Sequence, residues 1–271
     1  MTNLAMRAAE PAVLAPQVEV VRLEQVGLDY DGRPVLKDVS LSIRRGEIVA
    51  VLGPSGCGKT TLLNIVAGFL QPSSGVALVN GREIRGPGPD RGVVFQSYAL
   101  FDWMTVQDNI AFSLQCAGRP RAEQVEVATR MAALVGLAGF EKAYPYQLSG
   151  GMKQRCGLAR VLASNPSVML MDEPFAAVDV QTRETLQEEI LRIQVATGCT
   201  IIFITHSIDE AAFLGHRILL MQRGCLGAYK EYPVRLPQPR ASAENRLHPE
   251  FIRVREEVYR DLRASYATEA A

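Results

Sequence analysis

The sequence has little cysteine, and what it has is badly placed for bridging. Five of its 271 residues are cysteine (Cys57, Cys116, Cys156, Cys199 and Cys225), an odd number, far apart and never in a C-x-x-C pair. They read as reduced thiols of a cytosolic protein, not a disulfide framework. Excess charge is missing too: 29 Lys and Arg balance 29 Asp and Glu. No electrostatic footprint points to nucleic acid and no polybasic run to anionic lipid. Apolar runs such as Ile201 to Ile204 and Ile218 to Met221 fall far short of the ~20 residues that span a bilayer. Any role at a membrane must therefore run through a partner. The first 17 residues carry one Arg and are interrupted by Glu10, Pro11 and Pro16. They lack the basic start and apolar block of a secretory signal and read as a flexible leader. His216 and His248 have no neighbours at metal-ligand spacing and read as surface or packing residues.

What is present suffices for a core. Hydrophobic residues make up 48% of the chain, and the length suits one large domain with an appendage. From Val18 to Leu52 the runs VEVVRL, VGLDY, VSLSI and EIVAVL, broken by turn residues, predict an antiparallel sheet leading into a buried strand. Beyond Gly53, apolar strands at 93–95, 168–171, 201–204 and 218–221 alternate with helical segments, which predicts a largely parallel sheet with helices on its faces. Helical periodicity dominates from Val106 to Val161, and Val125, Val127, Met131 and Leu134 mark an amphipathic stretch. From Tyr232 to Pro249 the composition is that of a linker. Phe251, Val254, Val258 and Leu262 then recur at helical spacing, a stripe expected to pack on the domain itself.

The chemistry starts at GPSGCGKT, residues 53–60, which matches G-x-x-x-x-G-K-S/T between a strand and a helix. Gly53, Gly56 and Gly58 let backbone N–H groups curl around phosphate oxygens, and Pro54, Ser55 and Cys57 contribute only backbone. The helix N-terminus, running into Thr60 and Thr61, adds its partial positive charge. Lys59 supplies a point charge for the β and γ phosphates of ATP, and Thr60 a hydroxyl for Mg²⁺. Cys57 needs no chemistry there but stands open to thiol modification that nucleotide would block. The loop alone fits a kinase, a GTPase or a transport motor equally. VMLMDEP then ends an apolar strand on two carboxylates, Asp172 suited to Mg²⁺ and Glu173 to orienting or deprotonating a water. In LSGGMKQR, residues 148–155, Ser149, Gly150 and Gly151 begin a helix pattern and form a second anion-binding N-terminus.

With these motifs in this order, residues 18–236 resemble the ATP-binding-cassette (ABC) ATPase family. The resemblance implies an α/β fold, an ABC-type P-loop nucleotide-binding domain with an antiparallel β subdomain, a RecA-like parallel-sheet core and a helical signature subdomain at about 100–162. Residues 237–271 are left as linker and C-terminal helix. It further implies that Tyr30 stacks on adenine, Gln96 touches Mg²⁺ and senses a membrane subunit, and His206 contacts the γ-phosphate. Ser149 to Gly151 would serve the nucleotide of an opposite subunit, which Asp179 would also touch. After Phe175 the chain departs from the family, with Ala176 and Val178 where other residues are usual.

The segment at 87–114 and the tail RLHPEFIRVREEVYRDL are similar to importers of the nitrate, sulfonate, taurine and bicarbonate group. In that group Phe101, Trp103 and Met104 would line a groove for a permease helix; core packing is the rival reading of these side chains. The implied partners are integral membrane permease subunits, a second ATP-binding subunit and, indirectly, an extracytoplasmic solute-binding protein. The implied place is the cytoplasmic face of the inner membrane. A soluble ABC ATPase in repair or cofactor assembly, and a small-molecule kinase, are the alternatives. The first lacks support from a coiled-coil insertion, a second cassette or net positive charge; the second leaves the signature and His206 unexplained.

Overall fold

A computed structural model of the chain describes residues 18–95, 99–176, 178–222 and 226–267; the expected leader, residues 1–17, lies outside them. Alternating apolar residues pair β1 (Glu19–Tyr30) with β2 (Arg33–Arg44) in a hairpin that closes between Tyr30 and Arg33. VEVVRL and VGLDY, separate in the sequence, are one strand. Gln25 takes a φ of 50° and the register shifts between Leu23 and Val26, so a bulge carries the strand through its polar interruption.

The chain continues through β3 (Ile48–Leu52), α1 (Lys59–Ala67), β4 (Ser74–Val79), β5 (Arg82–Glu83) and β6 (Arg91–Val94). Three helices follow, α2 (Val106–Cys116), α3 (Arg121–Leu134) and α4 (Gly150–Ala163). The remainder runs β7 (Val168–Asp172), α5 (Val180–Thr197), β8 (Thr200–Ile204), α6 (Ile208–Leu214), β9 (Arg217–Met221), β10 (Tyr229–Pro233) and α7 (Pro249–Ala267). One sheet is antiparallel, in the order β2-β1-β4-β5. The other is ordered β10-β9-β3-β8-β7-β6, parallel from β9 to β6 with β10 antiparallel at its edge.

The second sheet is covered on both faces. Ile48, Ala50 and Leu52 of β3 share one core with Met169, Met171, Ile201 and Phe203 under the helices. Val49 and Val51 share the other with Leu170, Ile202, α1 and the antiparallel sheet. Burial of both faces is why these strands read as unbroken apolar runs. Each fully buried Ile or Leu contributes ~1.5–3 kcal/mol by leaving water.

In α3 the buried face is Gln124, Ala128 and Ala132, with Val127, Met131 and Leu134 partly buried and Val125 at the surface. The apolar stripe read from the sequence is thus rotated, because small alanines carry the close approach. In the tail, β10 occupies part of the expected linker; Pro233 is tolerated at the sheet edge. Phe251, Val254 and Val258 of α7 enter the helical core, so the stripe packs on the domain itself. Asp261 fastens that helix, accepting from Lys230 Nζ and Tyr232 Oη, each at 2.5 Å.

His248 caps the start of α7, its Nδ1 accepting from the Glu250 N–H at 3.2 Å. His216 is structural as well: Nδ1 accepts from the Ile48 N–H at 2.9 Å, where β9 meets β3. Burial, and then the charge of Arg240, push its pKa down to about 4. The unfolded chain takes up this proton near pH 6.5, and the folded chain resists it until about pH 4. The stability held above pH 6.5 is therefore lost as pH falls through that window, to a total of about 3 kcal/mol. His216→Asn, which keeps an acceptor for Ile48, should show a flatter decline in urea midpoint between pH 6.5 and 4 than the wild type.

Candidate active site

The phosphate loop leaves the end of β3 and feeds α1. Gly53 has a φ of 151°, and a Cβ there would sit 2.6 Å from the Met221 carbonyl oxygen. At Gly58, φ is 99° and a Cβ would come within 2.8 Å of Leu36 Cδ2. Glycine is required at both by backbone conformation and by close approach. Gly58 is also the N-cap of α1 and offers no side-chain acceptor, so the first N–H groups of that helix face an incoming anion without a competitor.

Lys59 is buried, with Nζ donating to the carbonyls of Gly53 and Pro54 at 2.7 Å each. Its ammonium therefore sits in the hollow of the loop. Cys57 is buried beside it, and burial pushes the thiol pKa up. A neutral, enclosed thiol is a poor nucleophile, so the modification site considered from the sequence gains no support here.

Parallel pairing brings the remaining groups to the same edge. Asp172 ends β7 opposite Ile204 of β8, and Ile204 pairs with Val51 of β3. Thr60 Oγ1 lies 3.5 Å from Asp172 Oδ2. The Asp172 carboxyl is pushed above the ordinary range, first by burial and then by the adjacent Glu173. Glu173 turns off the strand with a φ of 48°, its N–H donating to the Ile204 carbonyl at 3.1 Å. His206, just past β8, reaches across with Nε2 2.5 Å from Glu173 Oε1. A left-handed non-glycine residue costs conformational energy, so the surrounding structure must hold Glu173 in this position.

Tyr30 stands 46% exposed at the tip of the β1–β2 hairpin. Gln96 lies outside the described residues. Ser149 is the N-cap of α4: its Oγ accepts from the Met152 N–H at 3.3 Å, and both Ser149 and Gly150 are exposed. Gly151 has a second duty. A Cβ there would lie 2.8 Å from Thr182 Cγ2, so the residue also allows α4 to approach α5. Asp179 caps α5, accepting from the Thr182 N–H at 3.0 Å, a bond that holds its carboxyl below the usual range. It therefore has an in-chain role beside any contact with a second subunit.

The sequence reading passed over Gln154. It is 2% exposed and donates through Nε2 to the Pro174 carbonyl, tying α4 to the turn that carries Glu173. Its place as the seventh residue of LSGGMKQR was the available signal.

Trp103 is 74% exposed. Its ring lies 5.3 Å from that of Phe101, which contacts Phe112 at 4.6 Å with the Arg160 guanidinium 5.4 Å from its face. Asn109, fully buried, pins the backbone beneath by accepting from the Phe101 N–H and donating to the carbonyls of Phe101, Met104 and Thr105. Core packing thus accounts for part of Phe101 and not for Trp103. Among the described residues no helix is long and apolar enough to cross a membrane.

Residues 36–176 match the family model described as ABC transporter. The taurine import ATP-binding protein TauB of Escherichia coli K12 is 43% identical over 243 residues, 88% of this chain and 95% of that protein. An ABC transporter ATP-binding protein of Methanocaldococcus jannaschii, MJ0412, is 47% identical over 80% of this chain and 82% of its own length. Among solved structures, cbiO1 of Clostridium perfringens, part of the transporter complex cbiONQ, superposes with a TM-score of 0.75 at 25% identity, covering 93% of this chain and 99% of that one. The dimeric ATP-binding cassette MJ0796 bound to ADP and Pi gives 0.68 at 30% identity, over 79% and 99%. A nucleotide-binding edge built on this fold, with relatives this near over nearly the whole domain, has one reading: the chain belongs to the ABC transporter family and is one of its ATP-hydrolysing subunits.

Proposed function

We propose that this chain is the ATP-binding subunit of an importer that takes up a small anion, of the sulfonate, taurine, nitrate or bicarbonate class. It acts through a separate membrane permease, from the cytoplasmic face of the inner membrane, with an extracytoplasmic protein delivering the solute. The relative named for taurine import supports the direction and the class of solute. A soluble role apart from transport finds no specific support among the relatives.

The observation that carries the catalytic part is the 2.5 Å contact between His206 Nε2 and Glu173 Oε1 beside the phosphate loop. In this reading Tyr30 stacks on adenine, the loop and the N-terminus of α1 hold the phosphates, and Lys59 adds charge. Thr60 and Asp172 are hard oxygen donors 3.5 Å apart. The raised carboxyl of Asp172, buried beside a second carboxylate, is the environment a cation relieves. They fit Mg²⁺, with Gln96 a third donor by family resemblance; when bound, the ion neutralises charge on the β and γ phosphate oxygens. Glu173 orients the attacking water and accepts its proton, and His206 holds the Glu173 carboxylate while facing the γ-phosphate. Ser149, Gly150 and Gly151 present an exposed helix N-terminus to the nucleotide of a second subunit, with Asp179 at the contact. Phe101, Trp103 and Met104 seat a permease helix on the segment that follows Gln96.

Three outcomes test these assignments. Glu173→Gln should keep ATP affinity and lose on the order of 10²- to 10⁴-fold in turnover, the range for a general base; unchanged steady-state hydrolysis would remove Glu173 from the chemistry. Ser149→Asp keeps a good N-cap and avoids the collision with Thr182 that any side chain at Gly151 would meet. It should melt normally and bind ATP as a monomer yet fail to form the ATP-dependent dimer in light scattering. Weakened monomer affinity instead would place Ser149 in its own chain's pocket. Trp103→Ala should shift stability by no more than ~0.5 kcal/mol, as exposed sites do. Its affinity for detergent-solubilised permease should fall about 30-fold, as for loss of a central interface aromatic; a large drop in melting temperature with intact assembly would return the residue to the core.

A further inference from the structure

Behind Glu173 and His206 lies a cavity of about 140 Å³, lined in part by Ala176, Arg183, Thr205 and Glu210. Two charged side chains in it have no part in the chemistry described so far. Glu210, in the first turn of α6, is 7% exposed. It accepts a hydrogen bond from the hydroxyl of Thr205, and the same Thr205 Oγ1 accepts from the Ser207 N–H at 3.0 Å. His206 is thus bracketed by Thr205, which bonds to the buried Glu210 carboxylate directly, and Ser207, which reaches it through the Thr205 hydroxyl.

On the other side of the cavity, Arg183 donates through Nη2 to the Val178 carbonyl at 3.1 Å, next to Asp179. Its own N–H donates to the Asp179 carbonyl at 2.9 Å, so Arg183 moves with the cap of α5. The Arg183 Nε is buried, makes no hydrogen bond and lies 3.8 Å from Glu210 Oε1. A buried donor one ångström short of a buried carboxylate is an unfinished contact, and a small shift of the α5 cap completes or breaks it.

We propose that Arg183 and Glu210 form a positioning link that transmits the placement of residues 178–179 to His206 and, through it, to Glu173. The link sets how well the carboxylate is aimed, and it does so from the segment expected to meet the second subunit. This inference rests on the assignment of Glu173 and His206 made above. A misplacement of about 1 Å in a reacting group costs up to ~100-fold in rate, which is the lever such a link controls.

The test compares Arg183→Met, Arg183→Lys, Glu210→Gln and Glu173→Gln in the full chain, measuring kcat, KM, ATP affinity of the isolated chain and melting temperature. Arg183→Met should lower kcat on the order of tenfold with KM and ATP affinity unchanged, and Arg183→Lys should recover part of the loss by restoring a charge near Glu210. Glu210→Gln should behave like Arg183→Met; if it does not fold, the Arg183 pair decides alone. Turnover within about twofold of wild type in Arg183→Met, while Glu173→Gln remains inactive, would overturn the link and leave the catalytic assignment standing. So would a parallel loss of kcat, ATP affinity and melting temperature without recovery by Lys, which marks plain destabilisation. An active Glu173→Gln would overturn both.

Discussion

Parallel pairing of three strands, β3, β8 and β7, is the constraint on which the arrangement of Lys59, Asp172, Glu173 and His206 depends. Ile204 pairs with Asp172 on one side and Val51 on the other, so the phosphate loop, the Glu173 turn and the His206 turn leave the sheet at one level. A slip of one residue would send Asp172 to the wrong face and exchange the two cores. The register is secured because each strand fills both cores alternately: Ile201 and Phe203 lie under the helices, and Ile202 and Ile204 over α1 and the antiparallel sheet. Packing thereby fixes the 2.5 Å approach of His206 to Glu173. Chemistry at the carboxyl ends of parallel strands is the general habit of such sheets.

The strained turn at Glu173 is supported from several directions. Its N–H is anchored on Ile204, Gln154 of α4 holds the carbonyl of Pro174, and the Ala176 N–H returns to the Glu173 carbonyl at 3.2 Å. The helix capped by Ser149 is therefore bonded directly to the turn that carries Glu173. Gly151, packed against Thr182, brings the same helix to the cap of α5. Ser149 and Asp179, the two residues proposed to meet a second subunit, thus lie at the starts of helices that touch each other, and α4 also touches the Glu173 turn.

Much of this was legible in the sequence, and what was not has a common cause. The phosphate loop, the strand-ending carboxylates and the signature are contiguous motifs whose chemistry follows from local order. The strands of the parallel sheet announce themselves because both of their faces are apolar. By contrast, β1 reads as two strands because the bulge at Gln25 is a tertiary accommodation, and β10 hides in a stretch of linker composition because an edge strand tolerates Pro233. Gln154, Arg183 and Glu210 were not singled out, since their partners lie 20, 27 and 27 residues away or are backbone atoms that no pattern marks. The exposed Trp103 was named, but only the fold shows that Asn109 fixes the backbone beneath it and leaves the indole outside.

The central claim is that each nucleotide is held between Lys59 of one chain and Ser149 of another. Mixing equal amounts of Lys59→Ala and Ser149→Asp chains and measuring ATP-dependent dimerisation tests it most directly. Each variant alone has both composite sites damaged. In the mixed pair, one site carries both defects and the other carries none. The shared arrangement predicts that the mixture recovers dimer and hydrolysis that neither variant shows alone. A mixture as inactive as its components would place Lys59 and Ser149 in the same chain's site and contradict it.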